Sequence, residues 1–207
     1  MTLDYPTIPG HSMDLFLLSL INNHIDDLIN SYSRLYAVRV DLFYLKESGR
    51  YNNCSLRLME YELRILMASM MEYPAIVGYF CVLEWTEDHG LHAHVVVWLN
   101  GHTSRKPYVY AKKASEIWEE ITQGEGFLYR CEYKKNYLAD IRIPVEYNVP
   151  ASIINIRYIL SYLAKEAQKE KVYWYFCNEI PLPHPAGRPR QPVGSSLSLE
   201  AIHLAYR

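Results

Sequence analysis

The run Leu91-His92-Ala93-His94-Val95-Val96-Val97-Trp98-Leu99 leaves this chain little freedom. Its β-branched and bulky apolar residues favour a strand, and a strand turns alternate side chains to opposite faces. His92 and His94 therefore share one face, with Ala93 on the other. The preceding stretch from Ala75 to Trp85 is also strand-like, and Thr86 to Gly90 is polar and ends in glycine, as a hairpin loop should. Pairing Trp85 with Leu91 sets Glu84 opposite His92 on the same face. Two imidazoles and one carboxylate at that spacing make a candidate site for Mg²⁺, Mn²⁺ or Zn²⁺. Glu84 interrupts an apolar strand, where an unpaired charge is costly, and a ligand role accounts for it.

A chain of 207 residues, half of them hydrophobic, suits one globular domain with a full core. The net charge of −2 announces no nucleic-acid partner, but the charge is uneven. The first 100 residues hold 6 Lys and Arg against 12 Asp and Glu, the remainder 15 against 11, so basic surface is expected in the second half. Four dispersed cysteines, Cys54, Cys81, Cys131 and Cys177, read as small buried thiols of a reducing compartment. The start lacks a secretion-signal pattern and no apolar run approaches the ~20 residues of a membrane span, so a soluble, cytoplasmic protein is expected. The 19 tyrosines are mostly amphipathic filler at core edges, with some available for stacking or chemistry.

In chain order, residues 1–10 read as an extended arm. A helix from Ser12 to about Tyr36 follows, so residues 1–36 form an N-terminal arm and helix. Ala37 to Leu45 is a strand and Cys54 to Met71 a second helix, ended before Pro74. After the two central strands comes a helix from Tyr110 to Thr122, stopped by Gly124 and Gly126. Phe127 to Tyr133 and Ile141 to Asn148 are expected to form a hairpin, with Pro144 at an edge. Pro150 opens a helix expected to run to about Lys171, and Val172 to Cys177 is a last strand. Residues 178–207 read as a tail, flexible in part, with a short helix from Leu197 to Tyr206. The fold class expected is α+β: an antiparallel sheet with helices packed mainly on one face.

The helix from Pro150 carries a second constellation. At ~100° per residue, Ile156, Ile159, Leu160, Leu163 and Ala167 form its buried stripe, while Tyr158, Tyr162 and Lys165 gather on the opposite side. A phenol with an ordinary pKa of ~10 is a poor nucleophile at neutral pH. It serves when the electrophile is activated, and a metal at Glu84, His92 and His94 could polarise a phosphate. Lys165 could stabilise the phenolate or the leaving oxygen. A phosphotyrosine bond conserves the energy needed to rejoin the cut end.

The pair of motifs, His92-Ala93-His94 before an apolar strand and Tyr158-x-x-x-Tyr162-x-x-Lys165, resembles the HUH endonucleases. Within them it is most similar to rolling-circle replication initiators of the filamentous-phage and prophage type. The likeness covers residues 37–177, which would form the nuclease domain. It implies a ferredoxin-like or RRM-like antiparallel sheet with the histidine strand in the middle, and Mg²⁺ or Mn²⁺ as cofactor. Single-stranded DNA at a replication origin would be the substrate. By this resemblance Glu84, His92 and His94 are metal ligands, Tyr162 the preferred nucleophile, Tyr158 the second, and Lys165 their catalytic partner. Ser161 stands where the two-tyrosine pattern often has a lysine after its first tyrosine, so a one-tyrosine enzyme stays open. No nucleotide-binding motif is visible, so a host helicase is the expected partner, in a bacterial cytoplasm.

Arg105, Lys106, Lys112 and Lys113 make a basic cluster after the histidine strand and, with Arg157, are candidates for phosphate contact. Other readings remain: a non-catalytic single-strand-binding module, a metal hydrolase using water, or an HUH transposase or relaxase.

Overall fold

The computed structural model of the chain describes residues 5–167, 169 and 172–182. The expected tail segments from residue 183 onward lie outside the described residues, as do residues 1–4. Elements follow in the order α1 (Leu15–Ser31), β1 (Arg34–Tyr44), α2 (Gly49–Asn52), α3 (Leu56–Met71), β2 (Ile76–Thr86), β3 (Gly90–Asn100), α4 (Pro107–Ile121), β4 (Gly126–Arg130), β5 (Val145–Glu146), α5 (Pro150–Ser161) and β6 (Trp174–Cys177). A single 3₁₀ turn, Tyr162–Ala164, follows α5. The fold is α+β around one antiparallel sheet.

The helix starts follow capping chemistry. Asp14, not Ser12, caps α1, its carboxylate accepting from the Leu17 amide at 2.9 Å. Ser55 does the same for α3 through Leu58, and α4 and α5 each open on a proline whose missing N–H costs nothing there.

The β2–β3 hairpin turns through Glu87, Asp88 and His89, and Gly90 takes a φ of +64°, a left-handed conformation that glycine adopts freely. A side chain at Gly90 would also press on the Tyr51 ring 3.0 Å away. The hairpin register is Trp85 to Leu91 and Glu84 to His92, as the alternation predicts.

The sheet order is β4-β1-β3-β2-β6, which places β3 in the middle. The strand runs are apolar at consecutive positions, and Leu91 through Leu99 are all buried. A strand buried on both faces needs cover on both. Accordingly α3 and α4 pack on one face, with Met59, Leu63, Leu66, Ala114 and Trp118 against Val38, Val40, Leu83 and Val95. On the other, α1 and α5 bring Leu18, Ile25, Leu28, Ile156 and Leu160 against Phe80, Val82, Val96 and Trp98. The expectation of helices mainly on one face is thus corrected, and α1 belongs to the same core as the sheet.

Two further expectations change. β4 and β5 do not form a hairpin; both pair with the outer edge of β1, β4 at Val40–Tyr44 and β5 at Arg34–Leu35. The stretch between them is anchored instead to α5. There the Asp140 amide donates to Asn155 Oδ1 and the Asn155 side-chain amide donates back to the Asp140 carbonyl.

The helix from Pro150 ends at Ser161 rather than near Lys171. Here the N-terminal segment overrides helical spacing. The Asp14 amide donates to the Ala164 carbonyl (2.7 Å), the Glu166 amide donates to the Ser12 carbonyl (2.9 Å), and Lys165 is drawn into a β-bridge with Met13.

Candidate metal centre and tyrosine site

Alternation along β3 and the hairpin register bring three donors together. One ligand atom from each of Glu84, His92 and His94 lies within 4.8 Å of the others, and all three residues are buried. Each imidazole is held by its Nδ1. His92 Nδ1 lies 3.0 Å from the Gly90 carbonyl, which can only accept, so the proton sits on Nδ1 and the Nε2 lone pair is free. His94 Nδ1 lies 2.6 Å from Asp41 Oδ1, and its Nε2 faces Glu84 Oε2 at 3.3 Å. A histidine anchored through one nitrogen by a carboxylate or carbonyl, which leaves the other for the ion, is the usual arrangement around a metal. The donor set therefore fits a divalent ion.

Electrostatics keep Glu84 and His92 ready as ligands. Burial alone would lift the Glu84 carboxyl, but His94 and Lys169 outweigh it and hold the pKa at about 2. Burial presses His92 down to about 4, so it is neutral at physiological pH. Burial also opposes charge on His94, yet the hydrogen bonds to Asp41 and Glu84 leave its pKa above the ordinary histidine value. Burial would raise Asp41 too, but His94 and Arg39 keep it below the usual carboxylate range.

The end of α5 delivers the tyrosine to this site. The Tyr162 ring stands edge-on to His94 with centroids 5.6 Å apart. Lys165 Nζ donates to the Tyr162 hydroxyl at 2.8 Å and lies 3.6 Å from Glu84 Oε2. Lys169 Nζ holds the other oxygen, Glu84 Oε1, at 2.7 Å and also donates to the Lys165 carbonyl. The Arg39 guanidinium covers the Tyr162 ring at 4.4 Å, and its buried Nε has no hydrogen-bond partner among the described residues. Tyr158 shares a hollow of about 580 Å³ with Tyr162 and Arg39. Of the two tyrosines, Tyr162 is the one against His94.

Asp41, Arg39 and Lys169 are absent from the sequence reading. Arg39 and Asp41, two charges at alternate positions of an apolar strand, share a face, and that spacing could have flagged them. Lys169 lies four residues beyond Lys165, on the helical face of Tyr158 and Tyr162, and that spacing could have flagged it too.

The basic candidates separate. Arg105 lines a hollow that also contains Arg39, and Lys106 stands at the start of α4. Lys112 pairs with Glu116, and Lys113 lies 4.4 Å over the Tyr73 ring. Both belong to α4, which covers the face opposite the metal ligands. Arg157 is committed internally. Its guanidinium donates to Asn22 at 2.7 Å and Asp26 at 2.5 Å, tying α5 to α1.

Compared with known proteins, the chain matches no family model, no curated protein and no solved structure. What the site does has to be read from its own geometry.

Proposed function

We propose that the protein is a metal-dependent HUH-type endonuclease that nicks and rejoins single-stranded DNA through a phosphotyrosine intermediate. The observation that carries this reading is the Tyr162 hydroxyl, held by Lys165 at 2.8 Å, with its ring against His94 of the donor cluster. A tyrosine and a lysine from the turn after α5 meet three metal donors from β2 and β3, three segments in all. Glu84, His92 and His94 would hold Mg²⁺ or Mn²⁺, which would polarise a phosphoryl oxygen of the scissile bond.

The chain's own groups do the rest. Tyr162 Oη attacks phosphorus, forming the O–P bond as the bond to the 3′ oxygen breaks. The phenol proton is released, the 3′ oxygen takes one up, and the 5′ end stays on the enzyme. The Lys165 ammonium stabilises the charge developing on the phenolate. Asp41 keeps the His94 ring in the tautomer that leaves Nε2 free. Tyr158, in the shared hollow, would serve a second transfer. Such an enzyme suits initiation of rolling-circle replication, with a host helicase to open the duplex.

Covalent capture tests the reading. With Mn²⁺ and a labelled single strand carrying the element's own origin, a heavier labelled protein band is expected on a denaturing gel. It should vanish with EDTA and with Tyr162→Phe, and persist with Tyr158→Phe. Activity that survives Tyr162→Phe but not His92→Ala would point instead to a hydrolase using water. Binding without any covalent product would leave a single-strand-binding module.

A further inference from the structure

Helices α1 and α5 cover the metal-bearing face of the sheet over only part of its width. Across β4 that face is bare. Phe127 and Tyr129 pair with Phe43 and Asp41 of β1, so they point to the same side as the metal ligands. They are 51 % and 44 % exposed. Phe43 itself lies nearly parallel to the His92 ring, centroids 5.3 Å apart, so the aromatic surface begins at the metal centre.

Beyond Tyr129 the surface continues. Tyr133 and Tyr137, the latter 48 % exposed, line the hollow that holds Tyr158 and Tyr162. That hollow shares Asp41, Tyr129 and Tyr162 with the one over His92 and His94. On its other side it shares Arg39, Tyr133 and Ile141 with a third, of about 410 Å³. The third opens where the outer edge of β1, the one away from β3, lacks a strand between β5 and β4 along Tyr36–Arg39, and where the Cys131 amide donates to the Arg39 carbonyl.

Cations accompany the rings beyond Tyr129. Arg142 lies 4.4 Å over Tyr133, Arg130 4.4 Å over Tyr108 and Lys134 5.8 Å from Tyr137. Asp140 pairs with Arg142 and Glu132 with Arg130. Arg105 and Lys134 have no carboxylate partner among the described residues. In a chain of net charge −2, basic groups interleaved with exposed rings and leading from a phosphate-cleaving site have one chemistry in common. They suit unstacked bases and a phosphate backbone.

We propose that this trough is the track for a single strand of DNA flanking the bond that Tyr162 attacks. Bases stack on Phe127, Tyr129 and Tyr137, and phosphates face Arg105 and Lys134. The choice of DNA rests on the nuclease reading; the track itself rests on the exposed rings and their cations. A duplex, whose base faces are already stacked on one another, does not fit it.

The test is fluorescence anisotropy of labelled oligothymidylate, about 15 nucleotides long, with the full chain in the Tyr162→Phe background and Mg²⁺ present. The triple variant Phe127→Ala, Tyr129→Ala, Tyr137→Ala is expected to bind about tenfold or more weakly. All three rings are solvent-exposed, so the fold should persist, and an unchanged far-UV circular dichroism spectrum checks it. Tyr61→Ala is the control, removing a ring 64 % exposed on α3 across the sheet, and should bind like the parent. Three outcomes would overturn the track: no binding by the parent, a triple variant that binds as tightly as the parent, or a duplex that competes as well as the single strand. Covalent capture with the triple variant unweakened would sink the track and leave the nuclease. Lost binding in the triple variant without covalent capture by wild type would do the reverse.

Discussion

At the residue scale, Asp41 decides how well His94 can serve as a ligand. Its 2.6 Å contact orients the ring and makes Nε2 a better donor. Asp41→Asn is expected to weaken Mn²⁺ binding about 10- to 100-fold, measured by calorimetry, with the fold intact. A calorimetric affinity equal to wild type would mean that Asp41 is not holding the ligand.

Histidines also set the acid limit. Burial holds His24 on α1 and His92 near pKa 4, against an ordinary value of 6.5. As pH falls from about 6.5 towards 4, the unfolded chain takes up protons that the folded chain refuses, so stability falls with pH. His94, with its raised pKa, works the opposite way: its contribution is full at low pH and lost as pH rises through its folded value. His24, on α1 rather than on the metal strands, packs edge-on against Phe80, and its Nε2 has no hydrogen-bond partner among the described residues. His24→Leu should therefore shrink the stability lost between pH 7 and 4.5 by about 2–3 kcal/mol, read from urea midpoints in EDTA. An equally steep acid limb in the variant would rule this out. Glu84, His92 and His94 were legible as a group because strand alternation and hairpin register are local. Asp41 and Arg39 meet them only through the β1–β3 pairing, across some fifty residues of intervening sequence.

At the scale of elements, the turn after α5 is the informative departure. Helical spacing predicts Tyr158, Tyr162 and Lys165 on one face, and it does bring Lys165 to Tyr162. It misses that the chain leaves the helix at Ser161, because the bonds that stop it come from residues 8–14. The Ile8 amide donates to Ser161 Oγ at 3.0 Å, and Asp14 both caps α1 and binds Ala164. No local sequence rule contains a partner 150 residues away. Asp14→Ala is expected to cost about 1 kcal/mol through the lost cap, read as a lower urea midpoint. Stability equal to wild type would show the cap to be dispensable.

At the scale of the whole molecule, the class and the antiparallel sheet followed from element order and hairpin spacing, whereas the central place of the histidine strand was implied only by the resemblance. The distribution of helices did not, although the consecutive apolar residues of β3 pointed to cover on both sides. β4 and β5 were expected as strands, but their pairing with β1 rather than with each other was not readable, since the two-residue β5 has no periodicity to fix a register. No described helix is long and apolar enough to cross a membrane.

The lysines on Glu84 carry a consequence for how the site loads. Asp41, Glu84 and Asp14, which faces Lys169, bring three negative charges; Arg39, Lys165 and Lys169 bring three positive ones. Electroneutrality is thus met before any ion arrives, so a divalent cation enters as surplus positive charge. A phosphodiester beside it would relieve that surplus. Ion and strand should therefore be mutual effectors, each tightening the other by the same factor, since linkage between binding free energies is reciprocal. Titrating Mn²⁺ with and without a bound single strand measures that factor, and equal affinities would mean that the two load independently.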